Sequence, residues 1–360
     1  MKSKPDTPLL RVDRLRTVFA LRGGREAAAV DDVSFDIARG ETMALVGESG
    51  SGKSVTALSI IGLVTPPGRI ASGRIELDGV NLRDLDESAM RRVRGRRIGF
   101  VFQEPSAALN PVYTIGTQIA ETLAVHDLAR GSAAKARSIE LLAMARVPDP
   151  ARRAREYPHQ LSGGLRQRAM IALAIAAEPS LLIADEPTTA LDATVQAEIL
   201  DLLGEMRRTL NLSLLLITHD LGVVAEMADH VAVMYAGRIV EQAPVRELFD
   251  SPAHPYTKAL IACIPGERPG PRLTAIHGVV PRLGELPPGC AFAPRCPSKF
   301  EPCDQRPPEV TQVTSPLAEP VEPAEPAEPV EPAEPIEPAE PVEPAEPVHS
   351  VRCFLNLPPA

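Results

Sequence analysis

The sequence is poor in aromatic residues and in long apolar runs. Its 360 residues include no tryptophan, and Phe and Tyr together make up 3% of the chain. No apolar run approaches the roughly 18 residues that a membrane-spanning helix needs. The first residues, MKSKPDTPLLRVDRL, contain no apolar core of signal-peptide length. We therefore expect a soluble or peripheral chain that is not exported and does not cross a membrane.

Negative charge is concentrated in one short tract. The formal net charge is −9 at pH 7, but residues 319–348 alone contain ten Glu and no Lys or Arg. The rest of the chain is therefore nearly neutral, which argues against binding of nucleic acid through bulk charge. The tract itself repeats EPA and EPV triplets and cannot build a core, so we interpret it as a solvated spacer.

The order of apolar segments predicts an α/β fold. Residues 9–40 alternate apolar and polar residues around LRGGRE, which is typical of two antiparallel strands joined by a turn. Short apolar segments further on alternate with longer helical patterns, and this alternation predicts a mainly parallel sheet covered by helices. The predicted helical segments are 115–146, 164–177, 192–210 and 221–228. After about residue 250 the chain becomes rich in Pro and Gly, which predicts a small irregular extension.

A glycine-rich loop follows the strand ETMALVG and precedes a helical segment. Its sequence, GESGSGKS, fits the pattern G-x-x-x-x-G-K-[ST]. In this pattern backbone N–H groups surround phosphates, Lys53 reaches the β and γ oxygens, and the Ser54 hydroxyl can hold Mg²⁺. The predicted nucleotide-binding residues are Gly47, Glu48, Ser49, Gly50, Ser51, Gly52, Lys53 and Ser54.

A second element of the same chemistry is the segment LLIADEP. Asp185 ends an apolar strand and is placed to hold Mg²⁺, and Glu186 is placed to orient or deprotonate an attacking water. The alternative is that one of the two acids only caps a helix. Residues 162–164, Ser-Gly-Gly, open a further helix, and a helix N-terminus is a second seat for a phosphate.

Four cysteines cluster near the C-terminus. Cys290, Cys296, Cys303 and Cys353 are separated by five, six and forty-nine residues. In a cytosolic protein such a cluster favours metal binding over disulfides. Four thiols suit an iron–sulfur cluster or zinc, although the spacing is not that of a short C-x-x-C zinc site, and free thiols remain an alternative.

Five motifs in order carry a resemblance to a known family. GESGSGKS, VFQEP, LSGGLRQR, LLIADEPTTALD and LLLITHD resemble the nucleotide-binding subunits of ABC transporters over residues 9–250. The resemblance implies an ABC-type P-loop NTPase domain, with an antiparallel β subdomain and a helical subdomain, that hydrolyses ATP with Mg²⁺. It also implies a head-to-tail dimer, in which Ser162, Gly163 and Gly164 of one subunit cap the ATP on the partner's glycine loop.

The resemblance implies further roles residue by residue. Gln103 corresponds to the glutamine that senses Mg²⁺ and the attacking water, and His219 to the histidine that contacts the γ-phosphate. Asp192 corresponds to the aspartate at the dimer seam. Phe19 is a candidate for stacking on adenine, with ordinary core packing as the alternative. Leu165 departs from the glutamine common in the family, and we expect ATPase activity to survive this change.

The C-terminal part resembles one branch of the family. SPAHPYTKAL and LPPGCAFAPRCPSKFEPC resemble the extension of ATP-binding subunits of oligopeptide/dipeptide importers, which the nickel and glutathione importers share. The resemblance implies a [4Fe-4S] cluster on the four cysteines and a peripheral location on the cytoplasmic face of the membrane. It implies two permease subunits, a second ABC ATPase as heterodimer partner (a homodimer stays open) and, indirectly, a periplasmic or extracellular substrate-binding protein.

These patterns divide the chain into four parts. We predict a nucleotide-binding domain over 1–250, the importer-type extension over 251–318, the Glu-Pro spacer over 319–348 and a C-terminal end over 349–360. The alternative functions are a soluble ABC ATPase outside transport and a catalytically inactive regulatory subunit. The neutral body argues against action on nucleic acid, and the presence of Lys53, Asp185, Glu186 and His219 argues against inactivity.

Overall fold

Two sheets organise the chain in a computed structural model that describes residues 7–264, 276–313 and 349–356. The Glu-Pro tract predicted over 319–348 lies outside these residues. The strands are β1 (Leu10–Ala20), β2 (Glu26–Ile37), β3 (Thr42–Val46), β4 (Gly68–Leu77), β5 (Val80–Asn81), β6 (Ile98–Val101), β7 (Leu181–Asp185), β8 (Ser213–Thr218), β9 (His230–Tyr235), β10 (Arg238–Pro244), β11 (Thr311–Gln312) and β12 (Ser350–Val351).

Helices fill most of the connections between strands. They are α1 (Lys53–Ile60), α2 (Glu87–Val93), α3 (Pro105–Ala108), α4 (Ile115–Val125), α5 (Gly131–Met144), α6 (Pro150–Arg153), α7 (Gly163–Ala174), α8 (Ala193–Leu210), α9 (Leu221–Met227), α10 (Val245–Asp250), α11 (Pro255–Ile261) and α12 (Pro302–Gln305). None of the helices in the described ranges is long and apolar enough to cross a membrane.

The larger sheet confirms the predicted α/β architecture. Its strand order is β11-β12-β10-β9-β3-β8-β7-β6, and the five strands from β9 to β6 run parallel. Strands β3, β7 and β8 are buried along their whole length. Their continuous apolar sequences suit this position, because helices and the second sheet cover both faces.

The smaller sheet is antiparallel and holds the predicted hairpin. Its order is β2-β1-β4-β5, with β1 paired to both β2 and β4. One apolar core lies between this sheet and the parallel sheet, and a second lies between the parallel sheet and the helical segment from α4 to α8. The predicted helical segment 115–146 consists of two helices, α4 and α5, that contact each other.

The C-terminal extension is more ordered than its composition indicates. Strand β12 pairs antiparallel with β10 and β11, so the chain after the Glu-Pro tract returns to the main sheet. Beside it a third apolar core joins Tyr235 of β9 to Tyr256 and Phe292 of the extension. The extension is therefore packed on the nucleotide-binding domain through a shared core.

A buried carboxylate fastens the extension to the sheet. Glu241 of β10 is fully buried and accepts hydrogen bonds from the backbone N–H groups of Ala253 and His254, at 2.7 and 2.9 Å. The Nε2 atom of His349 lies 2.8 Å from the same carboxylate. Burial opposes ionisation of Glu241, but the hydrogen bonds from His349 and Ala253 outweigh it and lower the pKa of this carboxyl.

We predict that Glu241→Ala destabilises the extension. The change leaves buried donors without an acceptor, so the free energy of unfolding falls by roughly 3–5 kcal/mol in urea denaturation near neutral pH. Because the folded-state pKa is lowered, the stabilising charge is present above the ordinary carboxyl pKa and is lost as pH falls through the folded value. The difference between wild type and variant should therefore shrink in acid.

The matched control is Asp36→Ala, which removes an exposed ion pair. Arg11 and Asp36 are 48% and 47% exposed, so the expected loss is below about 1 kcal/mol. Hydrogen exchange should rise in residues 253–261 and 349–356 of Glu241→Ala only. Equal losses in the two variants would show that Glu241 is not the anchor.

Candidate nucleotide-binding site

The glycine loop connects β3 to α1 and is closed around the first lysine of the helix. Lys53 is buried, and its Nζ donates hydrogen bonds to the carbonyl oxygens of Gly47 and Glu48 at 2.8 and 3.0 Å. Gly52 precedes the helix with φ +106°. The loop therefore presents its backbone N–H groups and the lysine within one tight turn, as phosphate binding requires.

A cavity of about 450 Å³ lies beside this loop. Its walls include the loop and two of the predicted catalytic residues, namely Ser49, Gly50, Gly52, Lys53, Ser54, Gln103 and Glu186. The Ser51 Oγ atom is buried in the loop and has no hydrogen-bond partner among the described residues. A cavity of this size beside a phosphate-binding loop fits a nucleoside triphosphate.

The predicted Mg²⁺ ligands also lie together. The Ser54 hydroxyl donates to Asp185 Oδ1 at 3.0 Å, although 131 residues separate the two positions. Parallel strands end at the same edge of a sheet, and Asp185 is the last residue of β7. A hydroxyl and a carboxylate are oxygen ligands of the kind that Mg²⁺ prefers, so this pair fits the ion.

The predicted catalytic residues meet at one carboxylate oxygen. Glu186 Oε2 lies 3.1 Å from Gln103 Nε2 and 3.6 Å from His219 Nδ1. It also accepts a hydrogen bond from the Thr189 hydroxyl at 2.8 Å, a contact that the sequence analysis missed. The backbone N–H of Glu186 bonds to Ile217 O in β8, which fixes the acid beyond the end of the sheet.

Burial shifts the charges of the site toward neutrality. Burial lowers the pKa of Lys53, while the charges of Glu186 and Asp185 oppose the shift. Burial raises the pKa of Asp185, and its hydrogen bond with Ser54 opposes that shift. A triphosphate would place negative charge beside Lys53, and a divalent cation would place positive charge beside Asp185. The site is therefore suited to bind both together.

The second predicted phosphate-binding position, residues 162–164, lies outside the nucleotide cavity. Ser162 caps α7 by accepting the Leu165 N–H at 3.4 Å, and it is exposed together with Gly163. Residues 162–164 do not line the cavity. Asp192 is exposed as well and caps α8 by accepting the Val195 N–H at 3.0 Å. These groups are therefore accessible to another molecule, and their roles stay predictions.

Two further predicted positions have ordinary packing partners. Phe19 is half-buried in β1, where a Cβ on Gly68 would lie 2.6 Å from its ring, and it is not among the cavity residues. Its contact with adenine stays a prediction. Leu165 packs on the apolar core of the helical side. Leucine in place of glutamine at position 165 therefore leaves the Ser162 cap of α7 intact.

All four clustered cysteines line one small cavity. Cys290, Cys296, Cys303 and Cys353 surround about 10 Å³ of space, closed on one side by Phe354. Burial raises the pKa of the Cys290 and Cys296 thiols, and that of Cys353 to about 11, with the neighbouring thiols contributing. The metal prediction is not confirmed, because within residues 7–264, 276–313 and 349–356 no group of three His, Cys, Asp or Glu is placed to hold an ion.

The extension supplies contacts to the glycine loop that the sequence analysis missed. The Tyr256 hydroxyl accepts the Glu48 N–H at 2.9 Å, and Arg295 binds the Glu48 carboxylate at 2.6 and 3.0 Å. Residues 280–283 and Leu286 complete the wall of the nucleotide cavity. No local motif marks these contacts, since Arg295 and Glu48 are 247 residues apart.

Together, the glycine loop, the acids at the end of β7 and the separate Ser-Gly-Gly helix cap define an ATP-binding cassette ATPase. A family model described as ABC transporter matches residues 30–189. A second model, described as oligopeptide/dipeptide transporter C-terminal region, matches residues 240–303. The chain belongs to the ABC transporter family, as an ATP-binding subunit of the oligopeptide/dipeptide importer group that couples ATP hydrolysis to transport.

Relatives and solved structures agree with this assignment. A peptide import ATP-binding protein of Brucella melitensis is 52% identical over 319 residues, covering 85% of this chain and 94% of the relative. The oligopeptide transport ATP-binding protein AppD of Bacillus subtilis is 51% identical, covering 82% and 90%. The structure of a dimeric ABC transporter cassette, MJ0796, matches with a TM-score of 0.59 and 29% identity, covering 66% of this chain and 99% of that chain.

We predict that Gly47→Ala destabilises the ligand-free protein more than Gly50→Ala. Both glycines have positive φ, +151° and +79°, so alanine costs about 1–2 kcal/mol of backbone strain at either position. A Cβ on Gly47 would also lie 2.2 Å from the backbone oxygen of Met234, whereas one on Gly50 meets nothing within 4 Å. Overpacking should add about 1–3 kcal/mol for Gly47→Ala in chemical denaturation. Equal losses would contradict the close approach of the loop to β9.

Proposed function

We propose that this chain hydrolyses ATP to drive inward transport of oligopeptides or dipeptides, working as a head-to-tail nucleotide-binding pair beneath two permease subunits. One observation supports ATP hydrolysis: the side chains of Gln103, His219 and Thr189 converge on Glu186. The match of residues 240–303 and the names of the relatives support the peptide substrate. The proposed location is the cytoplasmic face of the membrane, where the subunit is peripheral.

In this proposal the residues of one chain divide the work of hydrolysis. The glycine loop and Lys53 bind the β- and γ-phosphates. Ser54, Asp185 and Gln103 would hold Mg²⁺, and the bound ion would neutralise charge on the phosphates. Glu186 orients or deprotonates the attacking water, and His219 contacts the γ-phosphate. The convergence of these side chains at the carboxyl edge of the sheet supports this division.

A second ATPase chain completes each site in the proposal. Ser162, Gly163 and Gly164 would cap the nucleotide on the partner's glycine loop, with Asp192 at the seam between the chains. The exposure of Ser162 and Asp192, away from the cavity of their own chain, supports this arrangement. The similar cassette MJ0796 is dimeric. We favour a related second ATPase as partner, with a homodimer as the alternative.

A groove on the helical side supports docking of the permease subunits. It encloses about 820 Å³ between α4, α5 and α6 and has a mainly apolar lining. Val112 and Tyr113 lie exposed at the start of this region. An apolar groove of this kind accepts an amphipathic helix from a partner. The substrate-binding protein would act indirectly, through the permeases.

The proposed domain division keeps the boundaries 1–250, 251–318, 319–348 and 349–360. The start of the extension near residue 251 is supported by the end of α10 at Asp250. The strand formed by residues 350–351 supports a C-terminal end that returns to the sheet across the spacer. Residues 251–318 and 349–360 would then act as one unit on the edge of the cassette.

We predict that Glu186→Gln lowers ATP turnover at least about 100-fold while ATP still binds. Only the water-activating carboxylate is lost, and the loop and Lys53 continue to supply affinity. The measurement is ATPase rate and ATP binding of the complete complex with its permeases in proteoliposomes, together with uptake of a labelled oligopeptide. The variant should also accumulate as a closed dimer with ATP.

The matched control is Glu226→Gln, which removes an exposed carboxylate of α9 outside the cavity. It should retain wild-type rates. Near-wild-type hydrolysis by Glu186→Gln would refute the assigned role. ATP-driven uptake of nickel or glutathione in place of peptide would keep the ATPase and refute the peptide substrate.

We further propose that the four cysteines hold a [4Fe-4S] cluster. The four thiols line one cavity, and thiolates are the ligands of iron–sulfur clusters, although among the described residues their placement is not yet that of a metal site. When bound, the cluster would supply folding energy by linking the segment 290–303 to Cys353. Its function would be structural or a docking surface, because ATP-driven import requires no electron transfer.

We predict that protein purified without oxygen is brown and contains about four irons per chain. Serine at any of Cys290, Cys296, Cys303 or Cys353 should bleach it and loosen residues 285–313. Cys263→Ala is the matched control and should do neither, since Cys263 does not line the thiol cavity. One zinc per chain without iron would refute the cluster and keep the site, and absence of every metal would refute both.

A further inference from the structure

The C-terminal extension forms one wall of the nucleotide cavity. Five of its residues line the same cavity as Lys53 and Ser54. They are Val280, Pro281, Arg282, Leu283 and Leu286. The positions lie more than two hundred residues beyond the glycine loop and outside all five cassette motifs. The nucleotide site therefore includes a surface that the motifs do not account for.

This wall differs in chemistry from the glycine loop. The loop carries Lys53 and backbone N–H groups, which suit phosphates. The remaining walls of the cavity include Ala28 and Ala29 of β2, next to Gly52, and the aliphatic side chains of segment 280–286. Leu283 and Leu286 are 42% and 40% exposed in the ligand-free chain. Exposed leucines that line a cavity are typical of a surface that a ligand covers.

Segment 280–286 packs against the β1–β2 hairpin. Gly284 lies so close to it that a Cβ would come within 2.7 Å of Leu21 Cδ1 and 3.6 Å of Ala27. The Glu285 N–H donates to Arg282 O at 2.9 Å, which closes a turn between the two positions. The turn brings the apolar side chains to the cavity next to strand β2.

Arg295 holds the segment and the glycine loop in one network. Its side chain is 4% exposed and binds both oxygens of Glu48, at 2.6 and 3.0 Å. Its Nε also donates to His277 O at 2.9 Å. This buried guanidinium fixes the distance between the glycine loop and residues 276–277, which lie a few positions before segment 280–286, because its five donors lie in one plane. The wall and the loop are therefore positioned relative to each other.

We propose that segment 280–286 is the base-binding wall of the nucleotide site. The purine of ATP packs between the alanines of β2 and the leucines of the extension, and the Arg282 guanidinium stacks on its face, as arginine does on aromatic rings. Arg295 acts as a positioning residue that keeps this wall beside the loop. The inference rests on ATP binding at the glycine loop and adds the residues that recognise the base.

The experiment compares a nucleotide with a ligand that lacks the base. Isothermal titration of the full-length chain with MgATP and with magnesium tripolyphosphate is carried out for Arg282→Ala, Leu283→Ala and Leu286→Ala. All three side chains are exposed, so the variants should fold. The affinity for MgATP should fall roughly tenfold in each, because each variant removes one side-chain contact with the base. The affinity for tripolyphosphate should be unchanged.

Two controls separate this inference from the proposed function. Arg246→Ala removes an exposed arginine of α10 outside the cavity and should change neither affinity. Lys53→Ala should weaken both ligands; if it weakens neither, the glycine loop is not the phosphate site and the proposed function fails as well. Unchanged MgATP affinity in the three wall variants, with a normal Lys53→Ala result, would overturn the base-binding wall alone.

Two further measurements test the details. A loss of MgATP affinity in Phe19→Ala, with none in the wall variants, would place the base on β1 and overturn the inference. Equal losses for MgATP and tripolyphosphate in the wall variants would overturn it too, because the wall would then act through the loop. Arg295→Ala should increase hydrogen exchange over residues 276–286, and unchanged exchange there would refute the anchoring role.

Discussion

The register of three parallel strands determines where all the chemistry of this chain lies. Val46 at the end of β3 is paired with Thr218 at the end of β8, and Asp185 at the end of β7 with Ile217. The glycine loop, Glu186 and His219 follow these three strand ends directly. A slip of one residue in either pairing would turn the strand's side chains to the opposite face and displace the groups that follow its end.

Local motifs made this part of the structure predictable from the sequence. The glycine loop needs only a strand before it and a helix after it, and both could be identified from apolar patterns. Placing Asp185 beside Ser54 required one further step, namely that parallel strands end at a common edge. The contact of Thr189 with Glu186 was missed because a hydroxyl three residues from a carboxylate has no distinctive pattern.

The extension could not be predicted in the same way, because its structure depends on contacts between distant positions. Two residues of β12 pair with β10, and a two-residue strand has no readable periodicity. Glu241 binds His349 across 108 residues, and Arg295 binds Glu48 across 247. Composition rich in Pro and Gly indicated an irregular tail, while the buried side chains of Glu241 and Arg295 and a shared aromatic core join it to the cassette.

These contacts make the extension part of the nucleotide site. The parallel sheet by itself would not require the extension to contact this site. Glu48 is a member of the glycine loop, yet its N–H and its carboxylate are both bound by extension residues, Tyr256 and Arg295. Any displacement of the extension must therefore break two hydrogen-bonded contacts of the phosphate-binding loop or move the loop with it. Phe292 and Ala293, two of the residues that line the thiol cavity, lie just before Pro294 and Arg295 in the chain. The order of the thiol cavity and the position of the glycine loop are consequently linked through one short turn of backbone.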